Sequence, residues 1–140
     1  MPTEKLLVTV RTYPNPSTRY RDTVCTGAIS QQLDWRRLYP VPFSQLGENK
    51  QFRTWDIIEA DLKPADDGRP ESRKPNCATL RVTQHLDSWT ARSQWVQPTI
   101  LQSMAELVSR ERTIGPVGVQ DVLDFVSQPD DVDWDPKRRK

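Results

Sequence analysis

The sequence predicts an α+β domain, a small curved β-sheet or barrel of five to seven strands with one C-terminal amphipathic helix. Apolar residues alternate with polar ones at the period of a β-strand through most of residues 5–86. Prolines and short polar runs separate these stretches, and the chain contains twelve prolines. After residue 87 the apolar period lengthens to that of a helix. A series of strands that is followed by a helix is typical of an α+β fold.

The first two strands are predicted at residues 5–13 and 22–30, separated by a proline-rich loop. Apolar residues occupy alternate positions of the first strand, so one of its faces is expected to be buried. Gly27 stands inside the second strand, where a glycine marks a bulge, a barrel bend or the close approach of another backbone. A hairpin turn over residues 31–34 is expected to lead into the third strand.

Three more strands are predicted at residues 35–39, 54–62 and 78–86. The stretch between the last two, residues 63–76, carries three prolines, an Asp-Gly pair and seven charged residues. Such a composition predicts a solvent-exposed loop and excludes a core element. Residues 42–46 are expected to form a short turn of helix.

Helical periodicity begins after the fifth strand. The Asp-Ser pair at residues 87–88 can cap a first turn over residues 89–96, and Pro98 suits the first position of a helix that runs to about Arg112. We expect the apolar stripe of this helix to cover an open end of the barrel, with a groove for a partner helix as the alternative. Residues 114–127 are apolar enough for one or two short closing strands, or for a helical turn or two.

Length and composition predict a single domain from residue 1 to residue 127, with residues 128–140 as a flexible tail that is first acidic and then basic. The chain has 140 residues, of which 35% are hydrophobic and 28% charged, and this length suffices for one core. No apolar run approaches the roughly 20 residues that span a bilayer, and the N-terminal ten residues differ from a signal peptide. We therefore expect a cytoplasmic protein with no membrane partner.

Few residues suit metal or redox chemistry. The two cysteines, Cys25 and Cys77, are expected to be free thiols in a reducing compartment. The single histidine, His85, falls on the polar face of the fifth strand. The sequence contains no phosphate loop, nucleophile elbow or HExxH pattern. We predict no catalytic residue, no metal site and no cofactor.

Basic and aromatic residues concentrate in the first half of the chain. Residues 5–53 carry eight basic and three acidic side chains, and such an uneven charge can steer a polyanion to one face. Trp35, Arg37 and Tyr39 alternate along one strand, so they would project from one face as the stacking platforms and cations of single-strand binders do. Alternatively, Trp35 and Trp55 belong to the core. The residues expected to contact nucleic acid are Arg11, Arg19, Arg21, Trp35, Arg36, Arg37, Tyr39, Arg53, Arg69, Arg73 and Lys74.

The order of three central motifs resembles that of a family of small, largely uncharacterised bacterial proteins. Cys-Thr-Gly-Ala-Ile at residues 25–29 is followed by WRRLYPVPF at residues 35–43 and by FxxWDIIEAD at residues 52–61. The motifs are also similar to OB-like modules of the dual-OB type, which open with C-x-A-G-(I/V) and G-x-W-(I/V)-R, although here Thr-Gly-Ala follows the cysteine and no glycine precedes Trp35. The resemblance covers about residues 20–75. It implies a five-stranded Greek-key barrel whose strand face often binds oligonucleotides, and it implies no catalytic residue.

These observations predict a non-catalytic nucleic-acid-binding accessory subunit of a bacterial or phage system. Its ligand would be single-stranded DNA or RNA, or a guide–target hybrid. One alternative is a protein-interaction subunit that docks through its helix or its C-terminal tail into a larger complex. A further alternative is a small metal-dependent nuclease, because Glu59, Asp61 and Lys63 share one strand face at a spacing similar to that of Mg²⁺ sites.

Overall fold

The computed structural model describes residues 1–17, 19 and 21–129, so most of the predicted tail lies outside the described residues. In chain order, the elements are β1 (Thr3–Arg11), β2 (Asn15–Ser17), β3 (Arg21–Ser30), β4 (Trp35–Val41), β5 (Asp56–Pro64), β6 (Ser72–Pro75), β7 (Arg81–His85), α1 (Trp89–Val96) and α2 (Met104–Ser109). Short 3₁₀ turns lie at Phe43–Gln45, Glu48–Lys50 and Gln97–Thr99. The five predicted strands are all found, with their ends shifted by at most three residues. β2 and β6 were not predicted.

Five of the strands close into a barrel, which confirms the predicted α+β class. β3 pairs with β1 and β4, β6 joins β4 to β5, and β5 returns to β1. The pairing between β4 and β6 is parallel, and the other four pairings of the ring are antiparallel. Outside the ring, β2 pairs with β3 and β7 pairs with β5.

The barrel interior is filled by the apolar residues that alternate along the strands, because successive side chains of a strand point to opposite faces. Phe43 packs edge to face against Phe52 at one end, with 5.3 Å between the ring centroids. The buried residues of this core are Leu6, Val8, Val24, Ala28, Leu38, Val41, Leu46, Phe52, Ile58, Ala60, Leu62 and Leu80.

A second apolar cluster lies on the outside of the barrel, under α1. Leu7 of β1 and Ile57 of β5 are buried there together with Leu86, and Ala91 and Trp95 of α1 pack against them. These two barrel strands therefore have apolar contacts on both faces. This double burial explains why the sequence alternation is imperfect at Leu6-Leu7 and at Ile57-Ile58. The helix begins as predicted, since the Ser88 side chain accepts a hydrogen bond from the Ala91 amide.

The prediction of an exposed loop over residues 63–76 is wrong for its second half. β6 lies in this stretch and completes the barrel, and both Glu71 and Ser72 are fully buried. Burial of Ser72 is compatible with its polarity because its hydroxyl has partners on both sides. The Ser72 hydroxyl donates to Asp67 at 2.9 Å and accepts from the Arg37 guanidinium at 3.0 Å.

The prediction of one helix from Pro98 to about Arg112 is also wrong. After the 3₁₀ turn the backbone is extended at Ile100, and α2 begins only at Met104. Ser103 caps this start by accepting from the Glu106 amide, and the Glu106 carboxylate accepts from the amide of Gln102, the residue before the cap. Within the described residues, neither α-helix is long and apolar enough to cross a membrane.

The closing strands predicted within residues 114–127 are not formed in the structure. A single bridge joins Leu101 to Val117, and residues 118–129 contain neither helix nor strand. Instead, the segment before this bridge lies across the outside of β3 at Gly27. A Cβ added there would lie 2.7 Å from Val10 Cγ1 and 3.1 Å from Ile114 Cδ1. These close neighbours are side chains and not another backbone. Of the alternatives predicted at this glycine, the bulge is found, because the β1–β3 register shifts between Val8 and Val10, which pair with Ala28 and Gly27.

One buried carboxylate holds the C-terminal segment on the barrel. Glu71 Oε1 accepts hydrogen bonds from the Thr113 hydroxyl and, at 3.0 Å, from the Thr113 amide. Burial raises the pKa of the Glu71 carboxyl, but the hydrogen bonds from Thr113 and the charge of Arg112 outweigh it, so the pKa lies below its ordinary value of 4.5. The ionised form is therefore the form that the folded structure stabilises.

We expect the Thr113 anchor to make stability depend on pH. A carboxyl with a lowered folded-state pKa contributes stability that is complete above its ordinary pKa of 4.5 and is lost as pH falls through the folded-state value. Glu71→Gln should lower the free energy of unfolding at pH 7 by about 1 kcal/mol and flatten its decline between pH 5 and pH 3. Urea denaturation at several pH values measures both effects. Glu48→Gln, at an exposed carboxylate, is the matched control, and equal acid slopes for the two variants would contradict the prediction.

Candidate nucleic-acid interface

The predicted contact residues fall into separate groups on the folded chain. One group surrounds the parallel pair of β4 and β6, a second lies near Phe52, and a third lies at the start of β4. Arg21 stands apart at the start of β3, exposed and in a left-handed backbone conformation with φ of 64°. The first group comprises Arg19, Arg37, Tyr39, Arg69, Arg73 and Lys74, the second Arg11 and Arg53, and the third Trp35 and Arg36.

Three residues of the first group, Arg19, Tyr39 and Lys74, line a cleft of about 210 Å³, which we call the Tyr39 cleft. Arg19 reaches it from the loop between β1 and β3, Tyr39 comes from β4, and Lys74 comes from β6. The loop between β5 and β6 forms the remaining wall. The full lining is Arg19, Tyr39, Pro40, Ala65, Asp66, Asp67 and Lys74. Four separate parts of the chain thus converge on one aromatic ring.

Arg37 contacts two residues of the cleft lining, Tyr39 and Asp67. Its guanidinium lies 4.5 Å from the centroid of the Tyr39 ring and donates to Asp67 at 2.5 Å. Only 13% of its side chain is exposed. Burial raises the pKa of the Asp67 carboxyl, but the Arg69 amide, the Ser72 hydroxyl and the Arg37 charge together lower it below its ordinary value. Arg37 therefore orients Tyr39 and holds an ionised Asp67.

The flanking arginines of the first group differ in exposure. Arg73 is half-buried and donates to the carbonyls of Pro70 and Ser72 at 2.7 and 2.9 Å, so it braces the turn before β6. Arg69 is exposed on the loop between β5 and β6. Sequence reasoning found these cations but missed Asp66 and Asp67, because it treated the loop as a basic wall.

The third group is removed from the Tyr39 cleft. Arg36 pairs with Glu4 at 3.0 Å and with Asp34 at 3.4 Å, and only 12% of its side chain is exposed. Trp35 is half-buried and lines a different cavity, and its buried indole Nε1 has no hydrogen-bond partner among the described residues. The alternative that Trp35 and Trp55 are packing residues is supported for Trp55, which packs against the outer cluster under α1.

The second group contains one packing residue and one exposed residue. Arg11 donates to the Phe52 carbonyl at 3.1 Å, and its guanidinium stacks 4.2 Å from the Phe43 centroid. Arg53 has 71% of its side chain exposed and lies 3.6 Å from Asp56. Asp56 is itself buried and bonded to His85, with 2.6 Å between Oδ1 and Nδ1. Neither arginine lines the Tyr39 cleft.

The carboxylates of the nuclease alternative do share the outer face of β5, and each has a protein partner. Glu59 accepts two hydrogen bonds from Arg81, at 3.0 and 2.5 Å, and Asp61 accepts one from the Thr3 hydroxyl. In the part of the chain that the structure describes, no three His, Cys, Asp or Glu residues are grouped to hold a metal ion. Cys25 and Cys77 are free, half-buried thiols, and burial raises the pKa of Cys77.

We expect Mg²⁺ to leave the protein unchanged. Glu59 is paired to Arg81, and Asp61 accepts from the Thr3 hydroxyl, so each carboxylate would have to give up a protein partner to bind the ion. The melting temperature should therefore stay within about 1 °C between EDTA and 5 mM MgCl₂, because a ligand stabilises only the state it binds. Arg81→Ala, which releases Glu59, is the informative companion variant. A rise of several degrees that disappears with Glu59→Ala would favour the nuclease alternative.

Comparison with known protein families finds one family model that matches most of the chain. A family model described as "Domain of unknown function (DUF8758)" matches residues 2–98, which is more than half of the chain. No curated protein and no solved structure matches. The matched residues include the whole barrel, the Tyr39 cleft and α1, whereas α2 and the segment after it lie beyond the match. The chain therefore belongs to the DUF8758 family.

Proposed function

We propose that the protein binds single-stranded nucleic acid at the Tyr39 cleft, as a non-catalytic accessory subunit of a cytoplasmic bacterial or phage system. The main support for this proposal is the position of the cleft on the barrel. OB-fold barrels bind oligonucleotides on the face of their second and third strands, between the loops that follow the first and the fourth strand. A closed barrel of five strands is compatible with that fold, and β1, β3, β4, β5 and β6 are its strands in chain order. The Tyr39 cleft is lined from the third strand and from both of those loops.

The residues of the cleft suit an unpaired base next to phosphate. Tyr39 is 36% exposed, and its ring is already fixed by Arg37 on one side. Stacking of a base on such a ring contributes about 1–3 kcal/mol and tolerates any base. Arg19 and Lys74 flank the ring and can contact phosphate oxygens.

The acidic residues narrow the choice of ligand. The charge of Asp67 is offset by Arg37, while Asp66 is exposed on the cleft wall. A carboxylate repels phosphate but can accept a hydrogen bond from an exocyclic amino group of a base. A single strand that splays one base into the cleft satisfies these conditions better than a duplex. A guide–target hybrid would need the wider surface that includes Arg69 and Arg73.

Binding to a labelled oligonucleotide tests the proposal. Tyr39→Ala should weaken binding of a single-stranded 12-mer by about 5–150-fold, the equivalent of one base–aromatic stack. The double variant Arg19→Ala/Lys74→Ala should weaken it further at low salt. It should also reduce the slope of log affinity against log salt by about 0.7 for each phosphate that it no longer neutralises. Fluorescence anisotropy at several NaCl concentrations measures both quantities.

The controls separate the cleft from general charge. Arg81→Ala removes an exposed arginine on β7, outside the cleft, and should leave affinity within about twofold. Arg53→Ala tests the second group of predicted contacts in the same way. Arg36 and Arg37 are poor test sites, because their ion pairs with Glu4 and Asp67 make a loss of folding indistinguishable from a loss of binding. Wild-type protein that binds no oligonucleotide at micromolar concentration in low salt would refute the proposal.

A second candidate function, docking into a larger protein complex, is favoured by one observation. Residues 119–126 expose several large apolar side chains on a segment without helix or strand. Exposed apolar surface of this kind marks an interaction site.

A further inference from the structure

A second cavity, of about 450 Å³, lies between the β3–β4 turn and the C-terminal segment. We call it the Trp35 cavity. Most of its lining residues are apolar, with Leu33, Ile100, Leu107 and Ile114 among them, but polar atoms supply slightly more of its surface than apolar atoms do, and Arg110 and Arg112 also line it. Its volume lies within the range of about 300–1,000 Å³ that is typical of ligand sites. Trp35 lines it as well and carries a buried indole N–H that has no acceptor among the described residues. The cavity thus offers apolar surface and positive charge.

The segment that follows this cavity exposes apolar side chains that the domain leaves uncovered. Val119, Val122, Leu123, Phe125 and Val126 are each between 73% and 95% exposed. Four of these five recur at i, i+3, i+4 and i+7, the spacing of the anchors of a helix that binds in a groove. Such a short segment is not stable as a helix alone in water, so its helix would form on docking.

We propose that residues 119–126 of one copy dock in the Trp35 cavity of a second copy, and that the chain forms a dimer by reciprocal exchange of this segment. The proposal is independent of nucleic-acid binding. It accounts for two features together, an open cavity that is lined mostly by apolar residues and an uncovered apolar segment that is adjacent to it in the chain.

The charges of segment and cavity are complementary. Asp121 and Asp124 lie among the apolar anchors and are exposed. Arg110 is 60% exposed beside the cavity, so it remains accessible although it donates to Glu106 at 2.6 Å. The acidic residue of the cavity lining, Asp34, is offset by Arg36 at 3.4 Å. The lining side chains include two arginines and one aspartate, so an acidic apolar segment meets one positive charge in excess.

The connection to the domain favours a second copy over the segment's own cavity. Pro116 lines the cavity, Val117 bridges to Leu101, and the Gly118 amide donates to the Leu101 carbonyl at 2.9 Å. The backbone is thus fixed on the cavity wall up to the residue before Val119, which leaves no linker in which the chain could reverse into its own cavity. Because each segment leaves its domain beside a cavity, a twofold axis near that wall brings each segment to the partner's cavity.

Sedimentation velocity of the full chain from 1 to 100 μM tests the dimer. We expect a dimer that dissociates on dilution, with a dissociation constant raised at least tenfold by Leu123→Asp. Gln120→Asp introduces the same charge on the same exposed segment, away from the apolar anchors, and should leave the constant within about twofold. Both positions lie outside the core, so circular dichroism should show unchanged folding.

A charge exchange tests the cavity side. Arg110→Glu should weaken the dimer, and adding Asp124→Arg to that variant should restore part of the affinity. A chain that stays monomeric at 100 μM overturns the proposal, whether its segment folds onto its own domain or binds a different protein. A dimer that is insensitive to both Leu123→Asp and Arg110→Glu overturns it as well.

Discussion

Arg37 donates to Asp67 and Ser72 across the parallel pairing of β4 and β6, at the point where the barrel closes. This pairing has only two residue pairs in register, and parallel pairing is slightly less stable per residue than antiparallel pairing. The closure therefore depends on polar side chains as well as on the ladder. The Arg37 amide adds a hydrogen bond to the Glu71 carbonyl at 3.1 Å. Removing either charge would leave the other part-buried without its partner, which costs more than the loss of an exposed ion pair.

The same junction positions both candidate surfaces. On one side, Asp67 draws the loop between β5 and β6 toward Tyr39 and so builds the wall of the Tyr39 cleft. On the other side, Glu71 holds Thr113, and the segment around Thr113 supplies Arg112 and Ile114 to the Trp35 cavity. Substitutions at the junction will therefore disturb both surfaces at once. Each surface is better probed by residues at its rim.

The sequence predicts those parts of the fold that depend on local pattern. Alternating apolar residues located five strands, and Ser88 located the start of α1. β6 was missed because its burial rests on hydrogen bonds from Arg37 and Thr113, which are 35 and 42 positions away from their partners Ser72 and Glu71. The short α2 had a readable signal, since Ser103-Met-Ala-Glu106 has the sequence pattern of a capping box, but the apolar period around it outweighed that signal.

The same limit applies to the candidate site. The sequence identified Tyr39 and the cations around it, but it could not show that Arg36 and Arg37 have acidic partners, because the closer partner of each is distant in sequence. Glu4 lies 32 positions from Arg36, and Asp67 lies 30 positions from Arg37. Folding thus brings acidic side chains next to arginines of the basic stretch, and these pairs leave the folded surface with little excess positive charge. The Tyr39 cleft illustrates this, since Asp66 and Asp67 stand beside its cations.

This charge balance determines how the cleft would recognise a ligand. A binder that relies on many phosphate contacts gains affinity for any nucleic acid, duplex or single-stranded, and loses it steeply with salt. With Arg37 paired internally, the Tyr39 cleft has few cations to offer to phosphate, so the aromatic ring must supply much of the binding energy. Only a base that is not stacked between its neighbours can stack on the tyrosine ring. In a duplex, releasing such a base costs free energy, because the base must first be unpaired and unstacked. If the cleft binds nucleic acid as proposed, the arrangement that weakens general affinity for polyanions would favour single strands over duplexes.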